Sequence, residues 1–489
     1  MTFLPRLTLL AASLAALLAS AGLHAEPLLF TPCSDTAVPG SLCSGLNVPG
    51  SYDAQGRAVG DSDAMHVFVR KIAADVPAGK AAKGSLWLVA GGPGESGASF
   101  YSLLPTLRRS FPGFELLIPD HRGTGHSSRL CKVEESEQSP GGRALAGAEW
   151  GSCFAGINLM PEYVTQFSIT TAARDLKALI DGEQGKNKPP VYVYSVSYGT
   201  QLVLRTLQLG PLPVKGVIFD SLVPPQTDAR WDLSQRSHVV NAVGLQVLAR
   251  CDADAACHAA LGEPAASVYR RVLDKVQADP ALLAKIPGKN LKHFMGGMLD
   301  VPAARDRIPY LLHELDQGKD DELTAVRATL SQAAASLGSY PQSPLSIPLV
   351  NIISNSENNL QPSLRPGWTA TDIDRDEASL LFTSPLPRIL LGGGLPTYAR
   401  DGYFGALPAK VPPALVLQGT LDPKTPYAGA QAQVQALTQN KAGKVALATV
   451  HNAPHFILWT APACFEQAST RFIAGKRAQD CTLQFSPSI

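Results

Sequence analysis

The sequence predicts an α/β fold, a mostly parallel sheet flanked by helices, with an inserted and mainly helical cap domain. Three observations predict it. Six short apolar runs are continuous rather than alternating, helical stretches fit between them, and this rhythm lapses between Phe219 and Leu415 before it resumes. A strand covered on both faces needs apolar side chains at successive positions, as in a parallel sheet with helices on either side. Alternation of strands and helices is the α/β pattern.

In chain order the runs occupy residues 86–89, 116–118, 191–194, 217–219, 415–417 and 445–448. Residues 65–71 alternate instead, Val67 and Val69 against His66, Phe68 and Arg70, and read as an antiparallel edge strand. Helices fit at 170–180 and 198–209, and amphipathic patches at 265–278 and 305–315 fall in the stretch without strands. The expected organisation is a first core part over 26–224, a helical cap over 225–407 and a C-terminal core part over 408–489.

Residues 1–25 read as a signal peptide. Arg6 supplies the positive charge, an uncharged and mostly apolar run extends from Leu9 to Leu18, and small residues offer cleavage after Ala21 or Ala25. The run is short for a membrane span, which takes roughly 20 apolar residues. The expectation is an exported protein, periplasmic or extracellular, with no stable membrane anchor. Cysteine usage points the same way. The eight cysteines form four sequence-local couples, Cys33 with Cys43, Cys131 with Cys153, Cys251 with Cys257 and Cys464 with Cys481. In an oxidising compartment such couples suggest four small disulfide loops. Close Cys-x-x-Cys or Cys/His clusters of the zinc-binding kind do not occur, and no metal or cofactor is expected.

With 45% hydrophobic and 17% charged residues, the 489-residue chain can bury a sizeable core. Its formal net charge of +1 gives a nucleic-acid or anionic-membrane partner no electrostatic support. Oligomeric state is not legible.

The chemistry lies where strands end. Val193-Tyr194-Ser195-Val196-Ser197-Tyr198-Gly199 runs from a strand through a turn into a helix, with Ser197 at the turn. That context suits a nucleophile elbow, although Ser195 stands at the first glycine of Gly-x-Ser-x-Gly, and a helix-capping serine is the competing reading. After the strand ending at Val89 comes Ala90-Gly91-Gly92-Pro93-Gly94-Glu95-Ser96-Gly97. A backbone N–H from Gly91 or Gly92, with that of Tyr198, would form an oxyanion hole. A phosphate loop is excluded by the missing Gly-Lys-Ser/Thr ending and by Pro93. Asp422 follows the strand at 415–417 and His455 follows that at 445–448. The order Ser, Asp, His is that of α/β hydrolases, in which His takes the serine proton and Asp fixes its tautomer. His451 is the rival base; His455 has the loop needed to reach back over the sheet. Asp120 and Arg122, in Asp120-His121-Arg122-Gly123-Thr124-Gly125-His126, could pair to order a loop beneath the site, and His121 and His126 read as solvated.

These residues carry a resemblance. Gly91-Gly92-Pro93-Gly94, then Asp120-His121-Arg122-Gly123-Thr124-Gly125, then Ser197-Tyr198-Gly199 with Asp422 and His455, resemble the proline iminopeptidase and tripeptidyl aminopeptidase group of α/β hydrolases, from about residue 85 to 481. The likeness is to secreted members with a C-terminal segment like that of tripeptidyl aminopeptidase. Departures are Ala90, often histidine in the group, His121, often glutamine, and Ser195, usually glycine. The resemblance implies the α/β-hydrolase fold and an aminopeptidase acting on short peptides. It also implies carboxylates that hold the substrate's ammonium, for which Glu357 and Glu95 are the candidates. An esterase with the same triad, and a non-catalytic binder on a hydrolase scaffold, are the alternatives.

Overall fold

The structure is a computed structural model and describes residues 27–53, 55–59, 64–183, 189–391 and 394–484. The expected signal peptide lies outside the described residues. Ten strands form one sheet: β1 (Thr31–Pro32), β2 (Leu42–Val48), β3 (Met65–Ile72), β4 (Gly84–Val89), β5 (Phe114–Asp120), β6 (Val191–Val196), β7 (Gly216–Asp220), β8 (Ala414–Gly419), β9 (Val445–His451) and β10 (Cys481–Thr482). Their order is β1-β2-β3-β5-β4-β6-β7-β8-β9-β10. From β5 to β10 every pairing is parallel; β1–β2, β2–β3 and β3–β5 are antiparallel.

All six apolar runs are strands of the parallel part. In β4, Trp87 and Val89 enter one core and Leu86 and Leu88 the other; in β6, Val191 and Val193 oppose Tyr192, Tyr194 and Val196. Side chains alternate between faces, so two buried faces make a run continuously apolar. The helices Ile169–Glu183 and Tyr198–Gln208 cover the first face, and Leu104–Ser110 and Pro462–Ile473 the second.

One strand sits elsewhere than expected. β3 is antiparallel but interior, with β2 and β1 outside it. Arg70, which made the segment look solvent-facing on one side, is fully buried: its guanidinium donates to Asp35 at 2.6 Å, to Ser41 Oγ at 2.6 Å and to Tyr101 Oη at 2.8 Å. Ser44, Gly45 and Asn47 interrupt the apolar pattern of β2 and hid the outer strand.

Between β7 and β8 the described residues contain helices and no strand. This helical insertion packs its own core from Val243, Val247, Val268, Val272, Leu311 and Phe382. The patch at 265–278 is the helix Ala265–Ala278, whereas 305–315 is divided into Pro302–Arg305 and Ile308–Asp316. Pro309, in the first turn of the second helix, lacks an N–H and would crowd the carbonyl of Arg305, so one continuous helix is excluded. All four cysteine couples are disulfides. Among the described residues no helix is long and apolar enough to cross a membrane.

Candidate active site

Parallel strands deliver their carboxyl ends to one edge of the sheet. Because β5 lies on one side of β4 and β6 on the other, the loops after β4 and β6 diverge there and open a crevice. The glycine loop follows β4, Ser197 follows β6, Asp422 follows β8 and His455 follows β9.

Ser197 has φ +56° and ψ −128°, a conformation that L-residues rarely adopt. Its N–H donates to the Asp220 carbonyl at 3.1 Å, and Thr200 N–H donates to its carbonyl at 2.8 Å, so β7 and the helix Tyr198–Gln208 hold the turn from both sides. Gly199 makes the close packing possible: a Cβ there would lie 2.6 Å from the carbonyl oxygens of both Val89 and Ala90. Ser195, the departure from the glycine pattern, is buried without difficulty, its hydroxyl 3.5 Å from the Ile218 carbonyl. Gly91 is Ser197's immediate neighbour, since a Cβ on Gly91 would lie 3.0 Å from the Ser197 Cβ. Tyr198 is the first residue of its helix, so its N–H has no intrahelical acceptor.

His455 and Asp422 are joined. Nδ1 of His455 lies 2.9 Å from Asp422 Oδ2 and 3.1 Å from Oδ1, leaving Nε2 for the cavity. Asp422, fully buried, also accepts from the Lys424 and Thr425 N–H groups at 2.8 Å each, from Thr425 Oγ1 at 2.7 Å and from Gln418 Nε2 at 3.1 Å. Burial pushes its pKa up, but the His455 charge and the bonds from His455 and Thr425 outweigh this and hold the carboxyl below the usual range. The loop carrying His455 is pinned in turn by Asp220 and Ser221. Asp220 accepts from the Ile457 and Leu458 N–H groups at 2.9 Å each, and Ser221 Oγ accepts from the Phe456 N–H at 2.8 Å. His451, the rival base, is exposed on the strand.

Ser197, Tyr198, His455, Gly92 and Glu95 line one cavity of about 380 Å³. The helical insertion contributes Leu337, Leu345, Val350 and Leu386 to its walls, and Trp231 and Trp459 add aromatic surface. Among the described residues the Ser197 hydroxyl takes no hydrogen-bond partner; bonds of this kind commonly align only when substrate is bound.

Other expected residues are placed differently. Glu357 does not line this cavity: it is buried at 1% exposure, paired with Arg205 at 3.2 Å and bonded by Gln226 at 3.0 Å and Tyr398 at 3.2 Å. Arg122 pairs with Asp175, bidentately at 2.6 Å and 2.6 Å, and not with Asp120. Asp120 instead accepts from the Gly97 N–H at 2.7 Å and the His126 N–H at 2.8 Å, tying the loop after β5 to the glycine loop. His121 is buried rather than solvated, and burial pushes its pKa down to about 4.

Sequence reasoning passed over Asp220, Thr425 and Arg236. A carboxylate closing the otherwise apolar β7 was a usable signal for Asp220. Thr425 lies three residues after Asp422 with no pattern to mark it. Arg236 opens the helix Arg236–Ala253 and lines the cavity, and no local pattern marks it.

Comparison with known proteins agrees with the fold. A family model described as alpha/beta hydrolase fold matches residues 85–250, and one described as TAP-like protein matches residues 394–480. YuaR of Escherichia coli (strain K12), a protein named as a hydrolase, is 25% identical over 197 residues. That match takes in 39% of this chain and 38% of YuaR, well under half of either. Among solved structures, potato (Solanum tuberosum) epoxide hydrolase I is similar at 14% identity and a TM-score of 0.36, over 88% of this chain and 99% of that one. A bromoperoxidase from Bacillus anthracis is similar at 15% identity and a TM-score of 0.37, over 84% and 96%. The strand order and the two family models, rather than these superpositions, carry the conclusion: the chain is an α/β hydrolase by fold, with a TAP-like segment over residues 394–480.

Proposed function

We propose that this chain is an exported serine hydrolase that removes one or a few residues from the amino end of short peptides through an acyl-enzyme. The observation that carries the proposal is the Asp422–His455 hydrogen bond facing the same cavity as Ser197, itself held at positive φ.

In this mechanism His455 Nε2 takes the proton as Ser197 Oγ attacks the scissile carbonyl. Backbone N–H groups of Tyr198 and of Gly91 or Gly92 receive the oxyanion. Collapse of the tetrahedral intermediate breaks the C–N bond, and His455 gives its proton to the leaving amine. Water then attacks the acyl-enzyme, His455 takes its proton, and the serine is restored as the carboxylic product leaves. Asp422 stays ionised and holds the imidazole in one tautomer.

Two features favour peptide amino ends. The TAP-like match is one. The other is Glu95, on the cavity wall, whose Oε2 lies 3.3 Å from where a Gly91 Cβ would stand. A carboxylate so near Ser197 is placed to neutralise a substrate ammonium. Walls from the cap, taken as 225–407, would limit access to short or unfolded chains. The four disulfides support export, because such bonds persist in oxidising compartments.

The test is a parallel assay of aminoacyl and peptidyl anilides, the same compounds with an acetylated α-amine, and short-chain esters. Hydrolysis of the free-amine anilides that falls sharply on acetylation is expected. Equal turnover of blocked and free substrates would remove the aminopeptidase reading, and turnover of esters alone would make the protein an esterase.

A further inference from the structure

Arg236 differs from the buried arginines of this molecule. Among the described residues the four most deeply buried arginines each meet a carboxylate: Arg70 meets Asp35 at 2.6 Å, Arg122 meets Asp175 at 2.6 Å, Arg205 meets Glu357 at 3.2 Å and Arg305 meets Asp306 at 2.8 Å. Arg236 is part-buried on the cavity wall, and among the described residues its guanidinium has neither a hydrogen bond nor an ion pair. Two carboxylates are close enough for it to feel, Asp422 and Asp300, but both are engaged. Asp422 holds His455, and Asp300 holds Lys424 at 3.2 Å. Burial pushes the Arg236 pKa down, with those two carboxylates opposing, yet a guanidinium remains charged throughout the working pH range.

An uncompensated charge at the wall of a partly desolvated site is stabilised when an anion docks on it. The remaining charges limit which anion. Of the other groups on the wall, Lys424 is matched by Asp300, Asp228 by Arg230, and Asp232 accepts from Ser234 and the Leu360 N–H. Among the described residues that line the cavity, Arg236 is the cation without an ion pair, and Glu95 is the carboxylate with neither an ion pair nor a hydrogen bond. A singly charged carboxylate fits that balance, whereas a dianion such as phosphate would be repelled by the surrounding acids. The planar fork of arginine also matches a carboxylate bidentately.

We infer that Arg236 binds a carboxylate group of the substrate, so that the acyl compounds processed here carry an anionic end as well as an amino end. The inference rests on the hydrolase reading and narrows its substrate class to short peptides with a free C-terminus or an acidic side chain close to the scissile bond.

The experiment compares trialanine as the free acid, trialanine amide, and Ala-Glu-Ala amide, with p-nitrophenyl acetate as a neutral ester. Wild type is expected to favour one carboxylate-bearing peptide over trialanine amide by about 10- to 100-fold in kcat/KM, the range of a hydrogen bond to a charged group. Preference for the free acid identifies a C-terminal carboxylate, and preference for Ala-Glu-Ala amide identifies a side chain. In Arg236→Met that ratio is expected to fall close to one through a rise in KM, and Arg236→Lys is expected to recover part of it. A wild-type ratio near one for both peptides, or a ratio that survives in Arg236→Met, overturns the inference while ester hydrolysis leaves the hydrolase reading standing. If nothing is hydrolysed, that reading has failed instead, and calorimetric binding of the same three peptides to Ser197→Ala still decides the carboxylate question: weaker binding of trialanine amide than of either acid supports it, and equal binding overturns it.

Discussion

The sheet and the helical insertion meet at one cavity and bring different chemistry to it. At the carboxyl edge of the sheet, the groups that hold His455 arrive with their partners already bound. Asp422 accepts from His455, Thr425, Lys424 and Gln418, and Asp220 and Ser221 pin the loop that carries His455. The insertion brings apolar walls and a guanidinium with no partner among the described residues. Position is set by buried hydrogen bonds at strand ends, where any shift leaves polar groups unsatisfied. In the proposed function, selectivity falls to the helical layer, which packs a core largely of its own.

The largest expected effect breaks the sheet side of this contrast. Asp422→Asn should lower kcat by about 10³- to 10⁴-fold, because an amide no longer selects the imidazole tautomer that accepts the serine proton; steady-state kinetics with the folded variant checks it. Next, Arg122→Met leaves Asp175 buried without its cation and should cost about 3–5 kcal/mol of stability in denaturant titration. Arg271→Met, which removes a half-buried pair with Asp316 in the insertion and leaves Lys275 beside that carboxylate, should cost clearly less in the same titration.

His121 yields a pH prediction. Its folded pKa, about 4, lies below the ordinary value of 6.5, so the unfolded chain takes up a proton first as pH falls. The sheet region should therefore lose up to about 3 kcal/mol between pH 6.5 and 4, with no further loss from this group below that. His121→Gln should flatten that slope in pH-dependent denaturant titrations. The smallest effect concerns the disulfides. Cys131–Cys153 closes a longer loop than Cys251–Cys257, with sequence separations of 22 and 6 residues, so replacing the first pair with alanine should destabilise by about 1 kcal/mol more than replacing the second.

The same contrast decides what could be read from the sequence. Strands buried on both faces announce themselves as apolar runs, and the residues after them, Ser197, Asp422 and His455, were legible because chemistry on a parallel sheet gathers at strand ends. β2 was not legible, since its polar residues break the run, and that hid the interior position of β3. Arg122 found Asp175, 53 positions away, instead of Asp120 two positions away, because burial requires the bidentate partner that the fold supplies and not the nearest one in the chain. Glu357 was expected at the substrate; the core arginine Arg205 holds it. Arg236 had no periodicity, motif or charge run around it. Its meaning lies in what does not surround it, and only three-dimensional packing reveals that.

The proposed chemistry requires Ser197 to be the nucleophile activated by the Asp422–His455 pair. Treating the folded protein with a labelled fluorophosphonate and locating the adduct by peptide mass mapping tests it most directly. One adduct is expected, on Ser197, absent from Ser197→Ala and slowed about 10³-fold or more in His455→Ala. Labelling that persists undiminished in Ser197→Ala, or proceeds at the wild-type rate without His455, would contradict it.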